Sequence, residues 1–209
     1  MAITAAQVKE LREMTGSGMM DCKKALTATD GNIEKAVEWL REKGLATAQK
    51  KASRIAAEGV SMAALSADAK KAVVVEVNSE TDFVAQNEKF QNYVKQVAEQ
   101  ALDTTAKTLE EFMAEPSKAD PSKTVEEANA AQIAVIGENL KIRRFQQICE
   151  ENGVLVAYTH QTGKIVTIVD VETDVVNDAI CEMGKNVAMQ VTSMRPQYTS
   201  NPQKAINCL

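Results

Sequence analysis

The chain has 209 residues and a hydrophobic content of 44%, enough for one large domain or two small ones with a sizeable core. Only 4% of the residues are aromatic, so the core must consist mainly of aliphatic side chains. The net charge of -5 argues against a nucleic-acid binder, and no apolar run approaches the roughly 20 residues that span a bilayer, so we expect a cytoplasmic protein without membrane contact.

Three short helices are predicted at the N-terminus. A T-x-x-Q capping box at Thr4 and Gln7 begins the first helix, over about residues 5–14, and a glycine-bearing loop leads to a second helix over residues 19–26. A third helix is expected to end at a left-handed glycine cap at Gly44. Its apolar residues have the spacing of one helical face: Ile33, Ala36, Val37 and Leu40.

The predicted domain organisation follows from this start. The three helices resemble the ubiquitin-associated fold, so residues 1–45 are expected to form a module of that type. Residues 46–57 are rich in Ala, Lys and Arg without apolar periodicity, which indicates a helical linker rather than a packed element. We expect an antiparallel α+β core domain over residues 58–198 and a polar tail over residues 199–209.

The first part of the core domain begins with two strands. Apolar runs over residues 59–65 and 72–78 predict an antiparallel hairpin. A surface connection with at most one short turn of helix near residues 109–113 is expected next, and a capping box that begins at Thr124 starts a helix ending at Gly137. The strongest helical stripe in the sequence lies before these two helices and should cover the hairpin: Phe90, Tyr93, Val94, Val97, Ala98 and Ala101.

The second part repeats the mixture of strands and a helix. Residues 140–144 alternate as in a strand, and residues 154–159 and 164–171 predict a hairpin whose loop includes His160. A last helix follows Asp174. Five of its residues are predicted to form the buried face: Val176, Ala179, Ile180, Met183 and Val187.

A polar turn follows the strand at residues 73–77. Asn78, Ser79, Glu80, Thr81 and Asp82 favour turns and helix caps, and a large aromatic side chain, Phe83, comes next. This ring either folds back onto the core of its own domain or faces outward as an apolar anchor for a partner's pocket. The residues of the turn do not decide between these two interpretations.

Three segments of the chain resemble signatures of the elongation factor Ts family. They are TGSGMMDCKKAL at residues 15–26, ETDFVAQN at residues 80–87 and IGENLKIRR at residues 136–144. Their order and spacing match the family, and the similarity extends from about residue 2 to residue 198. The resemblance implies a core of two related subdomains, over about residues 58–139 and 140–198.

The resemblance also implies a function. Members of the family are guanine-nucleotide exchange factors that bind elongation factor Tu in its GDP-bound and nucleotide-free states, disturb its Mg²⁺ site and promote GDP release, so that GTP can rebind during translation elongation. In the family a TDFV tetrapeptide enters the nucleotide domain of elongation factor Tu. Here it corresponds to Thr81, Asp82, Phe83 and Val84, with Phe83 as the wedge. No cofactor, bound metal or enzymatic activity is implied.

Six further residues match family positions that contact elongation factor Tu: Arg12, Met19, Met20, Ile136, Gly137 and His160. For two of them an ordinary structural role is equally compatible with the sequence. Met19 shares one side of its helix with Cys22 and would suit a core position, and a lone loop histidine such as His160 is commonly solvated. Some shorter members of the family pair as dimers, so a homodimer is also an expectation for this chain.

Two alternative functions have sequence support of a different kind. A nucleophilic cysteine would require Cys22 to meet His160, the only histidine of the chain, although Cys22 lies on the apolar side of its helix. A ubiquitin-binding adaptor is suggested by the three-helix module alone and leaves most of the chain unexplained. The four cysteines have no C-x-x-C spacing, so neither a zinc site nor a disulfide framework is expected.

Overall fold

The computed structural model describes residues 3–197, so the predicted polar tail lies outside the described residues. The helices of this range are α1 (Ala5–Thr15), α2 (Met19–Ala28), α3 (Ile33–Lys51), α4 (Asp82–Ala85), α5 (Glu88–Asp103), α6 (Leu109–Ala114), α7 (Val125–Ile136) and α8 (Asp178–Met194). The strands are β1 (Glu58–Leu65), β2 (Lys71–Ser79), β3 (Lys141–Cys149), β4 (Gly153–His160) and β5 (Ile165–Glu172). None of the described helices is both long and apolar enough to cross a membrane.

Helices α1, α2 and the first part of α3 form a small unit with its own core. The predicted capping box begins α1, because the Thr4 side chain accepts from the Gln7 N–H and the Gln7 side chain accepts from the Thr4 N–H. Gly16 ends α1 with φ 66°. The apolar stripe of α3 packs on this core, as predicted. The fully or nearly buried residues of the unit are Val8, Leu11, Cys22, Ala25, Leu26 and Ala36.

The predicted end of the third helix is wrong. Helix α3 continues through Gly44 to Lys51, and Gly44 is buried inside it. A side chain at Gly44 would meet the backbone of α7, with the Ala130 carbonyl oxygen 3.7 Å from the position of a Cβ. Gly44 therefore lies at the contact between two helices and does not form a left-handed cap. Ala48 packs against the core of the next unit, so this part of the expected linker is a packed element.

Strands β1, β2 and β3 form an antiparallel sheet with β2 in the centre. Val77 of β2 faces Val60 of β1 in register, and Val75 faces Phe145 of β3. Helix α5 packs on β1 and β2, and all six residues of its predicted stripe are buried. The antiparallel pairing of β1 with β2 confirms the predicted hairpin. Because β3 pairs with β2, the sheet continues across the subdomain boundary expected near residue 140.

Helices α6 and α7 complete this unit, and both begin at the predicted places with a capping box. A buried polar pair joins α7 to its neighbours, because the Tyr93 hydroxyl donates to Asn129 Oδ1 at 2.8 Å and Asn129 Nδ2 donates to the Leu140 carbonyl at 3.1 Å. Burial raises the pKa of Tyr93, so the phenol stays a neutral donor. These bonds satisfy polar groups that would otherwise destabilise the core.

The last unit consists of the β4–β5 hairpin and α8. The buried face of α8 differs from the predicted one, because it consists of Gly184, Ala188 and Thr192. A Cβ at Gly184 would lie 2.9 Å from Cγ2 of Val156 in β4, so small residues let the helix approach the two strands closely. Four of the five residues predicted to be buried are instead exposed: Val176, Ala179, Met183 and Val187.

Candidate functional site

Phe83 lies on a one-turn helix directly after the central strand. The Thr81 hydroxyl caps α4 by accepting from the Val84 N–H at 3.3 Å, and Ala85 at the end of the turn is buried. The Phe83 side chain is 83% exposed, whereas Val84 is half-buried against the core. The interpretation in which Phe83 folds back onto its own core is therefore wrong. We call residues 80–85 the Phe83 turn.

The Phe83 turn is held by the loop that follows α7. One carboxylate oxygen of Glu138 accepts from the backbone N–H groups of Glu80 and Thr81 at 3.1 and 3.0 Å, and the other accepts from the Thr81 hydroxyl at 2.6 Å. In the reverse direction, the Asn139 N–H donates to Glu80 Oε1 at 2.6 Å. Asn139 Nδ2 also donates to the Arg54 carbonyl at 2.8 Å. We call these five residues the Glu138 clamp.

The clamp brings two of the predicted contact segments together. Ile136 and Gly137 immediately precede Glu138, so they lie next to the turn that bears Thr81 and Phe83. Ile136 packs against the core, whereas Gly137 is exposed, has φ 88° and accepts a hydrogen bond from Lys51 Nζ at its carbonyl.

Sequence reasoning missed the clamp itself. Glu80 lies inside the ETDFVAQN segment, and Glu138 and Asn139 lie inside IGENLKIRR, so the motifs contained the residues without indicating that they bond to each other. Arg54 lies in neither segment. Its guanidinium group approaches Glu80 Oε1 to 3.6 Å, which adds an ion pair to the two-way hydrogen bonding.

The predicted contacts of the N-terminal unit lie at the junction of α1 and α2. Met19 and Met20 begin α2 and are 60% and 63% exposed, so the interpretation of Met19 as a core residue is wrong. Arg12 is exposed in the last turn of α1, and its carbonyl accepts from the Gly16 N–H at 2.9 Å. The three side chains belong to a different unit from the Phe83 turn, and α3 connects the two units.

An ion pair fixes how α3 meets the core unit. Arg41 NH2 lies 2.5 Å from Glu127 Oε1 on α7. The pKa of Glu127 lies below its usual value, first because Glu127 accepts from the Thr124 N–H and then because of the Arg41 hydrogen bond. On the other side of α3, Lys43 pairs with Asp21 of α2. Helix α3 therefore has charged contacts with both units.

His160 is the last residue of β4, not a residue of the loop. Its Nδ1 lies 3.0 Å from the Tyr158 hydroxyl. The turn that follows packs on β1, because the Ser61 N–H donates to the Gly163 carbonyl at 2.7 Å and Lys164 pairs with Glu58. Since Glu58 faces Ser79 in register, this turn lies toward the end of the sheet from which the Phe83 turn leaves.

The residues of the alternative catalytic pair lie in separate units. Cys22 is fully buried in the N-terminal core, and its Sγ lies 3.7 Å from the Ser17 carbonyl oxygen. His160 instead contacts Tyr158 at the end of β4. The arrangement therefore does not join Cys22 as a nucleophile to His160 as its base.

Two family models match this chain. The model described as UBA/TS-N domain matches residues 3–40, which include α1, α2 and the start of α3. The model described as Elongation factor TS matches residues 80–205, more than half of the chain. The chain belongs to the elongation factor Ts family. The order of a UBA/TS-N helical unit and antiparallel sheets with packed helices also confirms the predicted α+β fold class.

Several elongation factor Ts proteins are close relatives. The protein of Clostridium novyi (strain NT) is 49% identical over 208 residues, which are 98% of this chain and 68% of the relative. That of Trichlorobacter lovleyi is 49% identical over 202 residues, or 95% of this chain and 65% of the relative. That of Clostridium tetani is 50% identical over 196 residues, or 94% and 64%. The chain thus spans about two thirds of the length of these relatives.

Proposed function

We propose that this chain is a guanine-nucleotide exchange factor for elongation factor Tu. The observation that carries the proposal is the 83% exposure of Phe83 at the end of a rigid central strand. A large apolar ring held in water is unfavourable unless a partner covers it, and burial of such a side chain contributes about 1.5–3 kcal/mol. Membership of the elongation factor Ts family supports elongation factor Tu as that partner.

In this proposal the Phe83 turn acts on the magnesium site of elongation factor Tu. Phe83 inserts into the nucleotide domain as a wedge, while Thr81, Asp82 and Val84 line the turn around it. Magnesium requires nearly ideal octahedral coordination, so a small displacement of its ligands weakens its binding and loosens GDP with it. No covalent bond is made or broken by this chain.

Thermodynamic linkage constrains the cycle. If this chain weakens GDP binding to elongation factor Tu by a given factor, GDP must weaken binding of the chain by the same factor. The chain therefore binds nucleotide-free elongation factor Tu more tightly than the GDP-bound form. GTP then fills the empty site and releases the exchange factor.

The remaining predicted contacts would widen the interface. Met19 and Met20 are exposed thioethers, which adapt to irregular apolar surfaces, and Arg12 lies on the adjoining helix end. Ile136 and Gly137 adjoin the Phe83 turn, and we propose that His160 meets a second domain of elongation factor Tu. A homodimer stays a prediction, which sedimentation equilibrium of the purified chain tests.

The test of this function is stopped-flow release of a fluorescent GDP analogue from elongation factor Tu. The wild-type chain should accelerate release strongly, and Phe83→Ala should lower the accelerated rate by about tenfold or more. Because Phe83 is exposed, the free energy of unfolding of this variant, measured in urea, should lie within about 0.5 kcal/mol of the wild-type value. Val175→Ala removes an exposed apolar side chain elsewhere and should release GDP at the wild-type rate.

The outcomes separate the activity from the wedge. A folded wild-type sample that does not accelerate release contradicts the proposed function. Full acceleration by Phe83→Ala supports the exchange activity and contradicts the role of Phe83 as its wedge.

A further inference from the structure

The Phe83 side chain has little packing of its own to fix its direction. It is mostly exposed, and α4 is a single turn of four residues. Such a short helix is not stable by itself. The free-energy cost of fixing the backbone of the first turn exceeds the stabilisation from the few hydrogen bonds that one turn contains. The direction of Phe83 therefore depends on how the backbone on either side of it is held.

On the C-terminal side the core holds the turn, and on the N-terminal side Glu138 holds it. Ala85 is buried, whereas the backbone N–H groups of Glu80 and Thr81 both donate to one oxygen of the Glu138 carboxylate. Hydrogen bonds to a carboxylate are shorter and roughly twice as strong as those between neutral groups.

A chain of hydrogen bonds leads from Glu138 past Phe83. The Thr81 hydroxyl donates to Glu138 Oε1 at 2.6 Å and accepts from the Val84 N–H at 3.3 Å. Because the hydroxyl proton points to Glu138, the oxygen lone pairs are left for the Val84 N–H. Thr81 is thus held directly by one side chain that lies 57 residues away in the sequence, and Val84 is held through the Thr81 hydroxyl and by its own packing on the core.

We propose that Glu138 is a positioning residue for nucleotide exchange, which acts by holding the Phe83 turn in the orientation that enters the partner. This inference rests on the proposed function. Preorganisation of a binding element lowers the entropy that must be lost on insertion, so loss of the carboxylate should slow the exchange step itself.

The experiment measures two quantities for each variant. One is the maximal rate of GDP release, and the other is the concentration of this chain that gives half of that rate. Glu138→Ala should lower the maximal rate by about tenfold, and Glu138→Gln, which keeps an acceptor oxygen for the two backbone donors, should lower it by about threefold or less. A merely structural role would reduce the folded fraction, which raises the half-maximal concentration and leaves the maximal rate unchanged.

Glu111 offers a matched control. Its carboxylate also accepts from two consecutive backbone N–H groups, those of Lys107 and Thr108 at 2.7 and 3.3 Å, at the start of a short helix. Glu111→Ala should therefore loosen a similar turn in α6 while the maximal rate of GDP release stays at the wild-type value. An equal loss of maximal rate in Glu111→Ala and Glu138→Ala would overturn the inference.

A double-mutant cycle with Phe83 tests whether Glu138 acts through that ring. In the Phe83→Ala background, Glu138→Ala should change the maximal rate by less than about twofold, because the positioned group is already absent. If the two losses multiply instead, Glu138 does not act through Phe83 and the inference is wrong. Failure of the wild-type chain to release GDP would instead contradict the proposed function, so the two failures are distinguishable.

Discussion

Two of the exposed apolar sites in the described part of this protein are supported in different ways. Met19 and Met20 lie at the first turn of α2, and nearby residues determine their place, since Gly16 ends α1 in the left-handed region and Gly18 is the N-cap of α2. The Phe83 turn instead depends on Glu138, which lies 58 residues from Glu80.

The local support and the long-range support each suit the type of side chain that they hold. Methionine has three rotatable bonds and adapts to its contact surface, so a local support is sufficient for it. A phenylalanine ring that must enter a defined site needs a fixed direction, and long-range hydrogen bonds between rigid elements provide it. We therefore expect disturbance of the core unit to affect the Phe83 turn and disturbance of the N-terminal unit to leave it in place.

The largest expected effects come from truncating one core residue in each unit. Phe90 and Leu26 are both completely buried, and Phe90→Ala should lower the free energy of unfolding by about 3–5 kcal/mol and Leu26→Ala by about 2–5 kcal/mol. In hydrogen–deuterium exchange, Phe90→Ala should deprotect the amides of β2 and α4. Leu26→Ala should deprotect α1 and α2 and leave α4 protected. Equal deprotection of α4 by both variants would show that the two supports are not separate.

A smaller effect distinguishes two glycines with similar backbones. Gly16 and Gly137 have φ 66° and 88°, and no atom lies within 4 Å of a Cβ added at either. Gly16→Ala and Gly137→Ala should therefore each cost about 1–2 kcal/mol in urea unfolding, from backbone strain alone. Gly137→Ala should slow GDP release more than Gly16→Ala, because it shifts the adjoining Glu138, whereas Gly16 supports only the adaptable side chains of Met19 and Met20. The comparison fails if both variants slow GDP release to the same extent.

The smallest effect concerns the β4–β5 hairpin, which bears His160. Partial desolvation raises the pKa of Asp170 to about 6, and the hydrogen bond with Glu150 and the charge of Glu150 add to the rise. In the unfolded chain Asp170 has its ordinary pKa of 3.8. Between pH 3.8 and about pH 6 the folded state therefore binds more protons at Asp170 than the unfolded state does. The stabilising contribution is therefore present below about pH 4 and is lost as the pH rises through about 6.

Urea unfolding at pH 4.5 and pH 7 measures this contribution. Asp170→Asn removes the titrating group, so the stability of this variant relative to wild type should be higher at pH 7 than at pH 4.5. The same relative stability at both pH values would mean that Asp170 is not responsible. Lys9→Ala is a suitable control, since Lys9 pairs with Glu13 at an exposed surface of α1 and its stability relative to wild type should be the same at both pH values.

Local signals in the sequence predicted most elements. The predicted capping boxes at Thr4 and Thr124 lie at the starts of α1 and α7, and the apolar stripe of α5 matches its buried residues. These signals are reliable because a cap or a helical face involves residues within a few positions of each other. The starts of the helices and the buried side of α5 therefore needed no knowledge of distant contacts.

Two errors show where such signals fail. Helix α8 has apolar residues on two faces, and its small residues are buried because they allow close contact with Val156. Gly44 had the local appearance of a helix end, but it lies where α3 crosses α7. In both cases the decisive partner belongs to another element, so periodicity alone could not identify the buried face or the role of the glycine.

The sequence by itself determined most of the helices and strands, the family motifs and the identity of the candidate contact residues. Only the tertiary structure decided that Phe83 and Met19 are exposed, and that Glu138 and Asn139 hold the Phe83 turn. The physical reason is how far apart in the sequence the interacting residues lie. Caps and amphipathic stripes arise from neighbours along the chain, whereas exposure and the Glu138 clamp depend on which distant segments the folded sheet and α7 bring together.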